Sequence, residues 1–190
     1  MFKYPRTRHI EGSRLGPGDE DLTQVPWTDL RNATMVIEEK IDGANAGISF
    51  STEGELRLQS HDHYLTGGAR GKHFALFKTW ASTHTDALRE ILNNRYVMFG
   101  EWVHAKHRAF YDQLPHYFLE FDIYDYERQA FLDTDRRHEM LRGSPVTSVP
   151  VLARGLGERL DAPADLVARS LYKSDGWKSR LRAQAATRVE

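Results

Sequence analysis

Lys40 stands among Glu38, Glu39 and Asp42, followed by Gly43 and Asn45, in the stretch MVIEEKIDGANAGISF at residues 35–50. A lysine is a nucleophile only as the neutral amine, and free lysine titrates near ~10.4. Flanking carboxylates stabilise the ammonium, so activation needs a bound divalent metal, a second cation or desolvation when substrate enters. Gly43 lets a backbone approach a ligand closely, and Asn45 offers a neutral donor and acceptor. The same residues also describe a solvated Asp-Gly turn between two strands, which on composition alone is the commoner reading.

Two further segments place acids where hydrocarbon is expected. In RYVMFGEWV at 95–103, Glu101 shares an alternating face with Val97, Phe99 and Val103. In HYFLEFDIYD at 116–125, strict alternation groups Glu120 and Asp122 with Phe118, leaving Leu119, Phe121 and Ile123 on the other face. A carboxylate on an apolar face is costly unless something pairs with it. One such strand reads as a rim where acids meet solvent or an arginine; two, beside the charged tip at 38–42, point to a shared polar cleft. His61-Asp62-His63 sets two imidazoles on one side of a strand but lacks a further metal ligand. His104, Lys106, His107 and Arg108 form a basic patch that reads equally as a contact to RNA phosphates or as a solvated loop. Arg169, Lys173, Lys178, Arg180 and Arg182 line a nucleic-acid groove or simply face water.

The elements that must hold these groups follow from periodicity. Strands are expected over 35–41 and 46–50, with a hairpin across 44–60 turning at Thr52-Glu53-Gly54-Glu55. Phe74, Phe77, Ala81, His84, Leu88 and Ile91 recur at three and four, the stripe of one amphipathic helix ending at Asn93-Asn94. Asp133, Thr134 and Asp135 can cap a short helix to about Arg142, and another helix is expected from Pro163 to Tyr172. The first 25 residues, with Gly16, Pro17, Gly18 and Asp19-Glu20-Asp21, read as an arm or loop, and Gly67-Gly68 with Gly71 as a flexible loop. Hairpin-ordered strands with interspersed helices make an α+β domain on antiparallel sheet.

The 190 residues suffice for one domain with a real core, at 40% apolar and 28% charged. Twenty-six Lys and Arg against 27 Asp and Glu leave a net charge of −1, so a nucleic-acid partner has to be held by a local basic groove. With no cysteine, disulfides, thiolate metal sites and cysteine nucleophiles are excluded. The opening MFKYPRTRHIEGS lacks an apolar h-region, and no run of 18 apolar residues occurs, so the expectation is a soluble cytoplasmic protein without membrane partners.

Lys40-Ile41-Asp42-Gly43 resembles the K-x-D-G signature of the covalent nucleotidyltransferases, the ATP-dependent DNA and RNA ligases and mRNA capping enzymes. The type 2 RNA ligases are the nearer match, because Asn45 falls where they carry an asparagine. Phe99-Gly100-Glu101-Trp102 resembles their third motif, and Phe118-Leu119-Glu120-Phe121-Asp122-Ile123-Tyr124 the motif after it. Tyr4-Pro5-Arg6-Thr7 and His9-Ile10-Glu11-Gly12-Ser13 are similar to the amino-terminal segment of bacterial members. A lone K-x-D-G is weak, whereas motifs in order over roughly residues 1–180 are specific.

The resemblance implies an antiparallel-sheet nucleotidyltransferase domain over 1–190 that joins RNA 5′-phosphate and 3′-hydroxyl ends using ATP and Mg²⁺ or Mn²⁺. Lys40 is implied as the catalytic lysine that carries AMP, Glu39 as the adenine contact, and Phe121 as the base-stacking ring. Glu101 is implied for ribose or metal, Asp122 as a second metal carboxylate, and Asn45 for phosphate and strand ends. Two departures stand out. Where the family places an arginine after a serine, this chain has Gln59-Ser60-His61-Asp62, and histidine is a poorer phosphate clamp. No Glu-Gly precedes an apolar strand after residue 125, so the expectation is a chain that stops before the fourth and fifth motifs, with a missing C-terminal segment or a partner chain supplying their basic residues. Losing such an electrostatic donor costs on the order of 10²–10³ in rate. The alternatives are a non-catalytic module that binds ATP or RNA in the same cleft, and a capping-type guanylyltransferase.

Overall fold

The computed structural model describes residues 1–13, 15, 23–66, 73–104, 109–159 and 168–186. The acidic run at 19–21, the glycine loop at 67–71, and Lys106, His107 and Arg108 lie outside the described residues. So does much of the helix expected over 163–172, whose described end is a turn at Leu171-Tyr172 rather than helix. The described residues form two compact units.

The larger unit comprises residues 1–3, 40–149 and 170–190 and is built on a sheet. Its strands are β2 (Ala44–Phe50), β3 (Leu56–Ser60), β4 (His63–Tyr64), β5 (Tyr96–Trp102), β6 (Phe118–Asp125) and β7 (Ala130–Phe131), in the order β4-β3-β2-β5-β6-β7, all antiparallel. A short β8 (Thr147–Ser148) joins β6 in parallel. Alternation in β2 and β5 sends Ala46, Ile48, Phe50, Met98 and Trp102 into the main core with Phe118 and Ile123 of β6.

Two helices cover that face where the sequence stripe predicts one. The chain breaks at His84, between α2 (Ala75–Thr83) and α3 (Thr85–Leu92), and Phe77, Ala81, Leu88 and Leu92 are fully buried. The three-and-four spacing survives because each half presents its own apolar stripe to the sheet. Phe77 lies 5.2 Å from both Trp102 and Phe118, ring centroid to centroid. The expected cap holds at α4 (Thr134–Met140), where the Asp133 carboxylate accepts the Arg136 N–H at 2.9 Å. Helix α5 (Trp177–Ala186) ends the described chain.

The smaller unit, residues 4–39 and 150–169, contains α1 (Trp27–Leu30), β1 (Thr34–Glu38) and β9 (Val151–Leu156). Strand β1 therefore pairs with β9, antiparallel from Thr34↔Leu156 to Glu38↔Val151, and not with the 44–60 hairpin. No helix among the described residues is long and apolar enough to cross a membrane.

Candidate active site

The turn that carries Lys40 is fixed by the residues after it. Lys40 is exposed, while Ile41 is buried with Val103, Leu119 and Val149, anchoring the backbone beside the amine-bearing residue. Asp42 is held twice by the β5–β6 connection: its N–H donates to the Tyr111 hydroxyl at 2.8 Å, and its carboxylate accepts the Ala109 N–H at 2.8 Å. A Cβ on Gly43 would sit 2.7 Å from Val103 Cγ1 and 2.9 Å from the Trp102 carbonyl oxygen. Glycine at 43 thus lets the turn close against β5; the space it makes is filled by protein.

Antiparallel register then sets Asn45 directly opposite Glu101, and Leu119 opposite Glu101 on its other side. Such neighbours share a sheet face with Cβ atoms about 5 Å apart. Burial pushes the Glu101 carboxyl up to about 7, against the Lys40 charge and an N–H from Gly43, with Asp42 adding to the rise. Glu101 Oε2 and Asn45 Oδ1 are both buried without a hydrogen-bond partner. Two orphaned oxygen acceptors on adjacent strands call for a donor or a cation from outside the chain, since buried polar groups are otherwise paired. Oxygen ligands suit Mg²⁺, which commonly takes only one or two carboxylates and completes its shell with water and phosphate. Among the described residues, no group of three or more His, Asp or Glu is arranged to hold a metal ion.

The strict alternation expected for 116–125 fails at one point. Phe99 pairs with Asp122 but Gly100 pairs with Glu120, so Phe121 is an extra residue in a β-bulge. Asp122 consequently joins Phe99 and Glu101 on the site face, and Phe121 packs half-buried against Ile41, Val103, Leu119 and Val149. Glu120 turns the other way, fully buried, with its carboxylate accepting from Arg137 Nη1 at 2.7 Å and Ser148 Oγ at 2.6 Å. Burial raises the Glu120 carboxyl, opposed by Arg137 and Ser148. Two acids that a strict period of two sets together thus face opposite ways.

The larger unit brings Lys40, Asn45, Glu101, Phe121 and Asp122 around one end of β2, β5 and β6. Glu39 belongs to the smaller unit, where its N–H donates to the Pro150 carbonyl at 2.8 Å. His61 is not on a strand: it occupies the β3–β4 turn, exposed, with φ of 51°. His104 stacks on Trp102 and meets Tyr117 edge-on. Sequence reading missed Tyr111, Ala109 and Phe2. Phe2 stacks on Tyr124 at 3.8 Å and accepts the Gln59 side-chain N–H at 2.8 Å through its carbonyl. An aromatic residue two from the terminus was the only available signal.

Comparison with solved structures shows the same fold. An archaeal ATP-dependent RNA ligase superposes with a TM-score of 0.57 at 16% identity, over 82% of this chain and 38% of that one. A Naegleria gruberi RNA ligase with PPi gives 0.53 at 18% identity, over 82% and 50%. A mutant Naegleria gruberi RNA ligase with ATP and Mn gives 0.53 at 17%, over 77% and 45%. The chain thus spans half or less of the length of these structures. No curated protein matches it. The RNA ligase family model matches residues 33–181, from the strand before Lys40 into the terminal helix, and with that match over most of its length the chain belongs to the RNA ligase family.

Proposed function

We propose that this chain is the ATP-dependent adenylyltransferase part of an RNA ligase, with Lys40 as the residue that carries AMP. The observation that carries this reading is the pairing of the Lys40 turn with two buried, donorless oxygens, Asn45 Oδ1 and Glu101 Oε2, on the strands it leads into.

In the first step the neutral Lys40 amine attacks the α-phosphorus of ATP. A P–N bond forms, the bond to the bridging oxygen breaks, pyrophosphate leaves, and the amine proton passes to solvent. In the second, a 5′-phosphate oxygen of RNA attacks the same phosphorus and frees the lysine. In the third, a 3′-hydroxyl attacks the activated 5′-phosphate and AMP departs. Protein contributions to such phosphoryl transfers are positioning and charge neutralisation. Mg²⁺ or Mn²⁺, when bound, neutralises charge on the phosphate oxygens.

Glu101 would hold a ribose hydroxyl or the metal, Asp122 would be the second carboxylate toward the metal, and Asn45 would address phosphate and the strand end. Phe121, held by the bulge, stacks on the adenine. Glu39 is assigned to adenine by the family resemblance alone. The turn matters as well as the amine: Ile41 and Asp42 anchor the backbone next to Lys40, which sets where the flexible side chain starts from.

Incubation with α-labelled ATP and Mg²⁺, followed by a denaturing gel, tests this. Label is expected on the wild type and absent from Lys40→Ala. Stabilisation of the fold by ATP with no covalent label in any divalent metal assigns a nucleotide-binding module instead. Labelling by GTP in preference to ATP assigns a capping-type enzyme.

A further inference from the structure

A cavity opens beside the site. It measures about 550 Å³, within the range of small-ligand pockets, and is lined by Phe110, Tyr111, Leu114, His116, Tyr117 and Arg180, with Asp112 and Pro115 completing the wall. Its lining is aromatic with one arginine, and Lys173 Nζ lies over the Tyr111 ring, 5.5 Å from its centroid. Tyr117 is 46% exposed, and its ring makes an edge-on contact to His104 at 5.1 Å. Arg180 reaches in from α5 and is placed by Asp112 at 3.4 Å, which engages one guanidinium nitrogen and leaves further donors of the planar fork. Asp112 itself accepts the Ser174 N–H at 2.8 Å and the Ser174 hydroxyl, so this acid is satisfied within the wall. His116 is held by Phe118, whose N–H lies 2.9 Å and whose carbonyl oxygen 3.1 Å from Nδ1.

We propose that this cavity binds an unpaired nucleobase of the RNA strand, with the adjoining phosphate on Arg180. Aromatic rings offer stacking faces that only a base free of its duplex partner can use, and a single arginine suits one phosphate. The position ties the cavity to the reaction: Tyr111 forms part of its wall while its hydroxyl accepts the Asp42 N–H, two residues from Lys40. A base seated there lies one side chain from the turn that carries the nucleophile. The proposal rests on the RNA-ligase reading for the identity of the strand.

The test uses the full chain and a fluorescent, 5′-phosphorylated single-stranded RNA read by anisotropy, with labelling by α-labelled ATP run on the same samples. Tyr117→Ala is expected to weaken RNA binding by about fivefold or more, the usual cost of losing one base stack, while Tyr117→Phe stays within about twofold. Lysyl-AMP labelling is expected to persist in both variants. Unchanged RNA affinity in Tyr117→Ala, or wild-type protein that binds a matched duplex as well as the single strand, overturns the proposal. Absent label with the affinity loss intact overturns the adenylyl-transfer reading and leaves the cavity assignment supported.

Discussion

Single residues divide the buried acids of this chain into Glu101, left with an oxygen unpaired, and Glu120, paired within the fold. Burial is the main cause that pushes the Glu101 carboxyl up to about 7 from an ordinary 4.5. The folded state therefore binds this proton more tightly than the unfolded chain, so the protein is most stable below the unfolded value and loses stability as pH rises toward and through 7. A shift of this size corresponds to about 3 kcal/mol. Urea titrations of the metal-free protein should show Glu101→Gln gaining on the wild type by roughly 2–3 kcal/mol between about pH 5 and pH 8, together with loss of labelling by ATP. Equal pH slopes would mean that Glu101 is not held in a desolvated site. Glu120 behaves otherwise. Arg137→Met leaves its buried carboxylate without the guanidinium and is expected to cost about 3–5 kcal/mol, with labelling per folded molecule unchanged. A variant as stable as the wild type, or one that is stable but unlabelled, would contradict that division.

Elements decide which way those residues point, and here the sequence was legible only in part. The strands at 96–102 and 118–125, the 44–60 hairpin and the Asp133-capped helix are visible as alternation, turn residues and a cap. The Phe121 bulge is not, because an extra residue leaves no mark in composition while it flips the parity of all that follows. Motif order singles out Lys40, Asn45 and Glu101, and the structure sets Asn45 opposite Glu101 with the Lys40 charge acting on that acid. Tyr111 was not legible, since its bond to Asp42 joins residues far apart in the chain. Pairing of β1 with β9 was equally hidden, as strand partners at long range are set by the folded chain. The close approach of Gly43 to β5 gives an element-scale prediction. Gly43→Ala pushes a methyl into the Trp102 carbonyl, so it should destabilise by about 1–3 kcal/mol and lower the labelling rate. Full stability and full rate in that variant would show that the turn has slack which the geometry denies.

The chain carries a net charge of −1 at neutral pH, so the proposed hold on RNA rests on locally placed cations such as Arg180 rather than on a general positive field. Binding of a single strand should then depend only shallowly on salt. Each phosphate contact contributes about 0.7 to the slope of log affinity against log salt, and Arg180→Gln should lower the slope by about that amount. A steep slope that Arg180→Gln leaves untouched would place the basic surface elsewhere. The central claim concerns a single bond and is tested most directly by locating it. After incubation with ATP and Mg²⁺ or Mn²⁺, digestion and mass spectrometry should find one AMP adduct, acid-labile as a phosphoramidate, on the peptide containing Lys40. An adduct on any other residue, or an unmodified Lys40 peptide in both metals, contradicts the account.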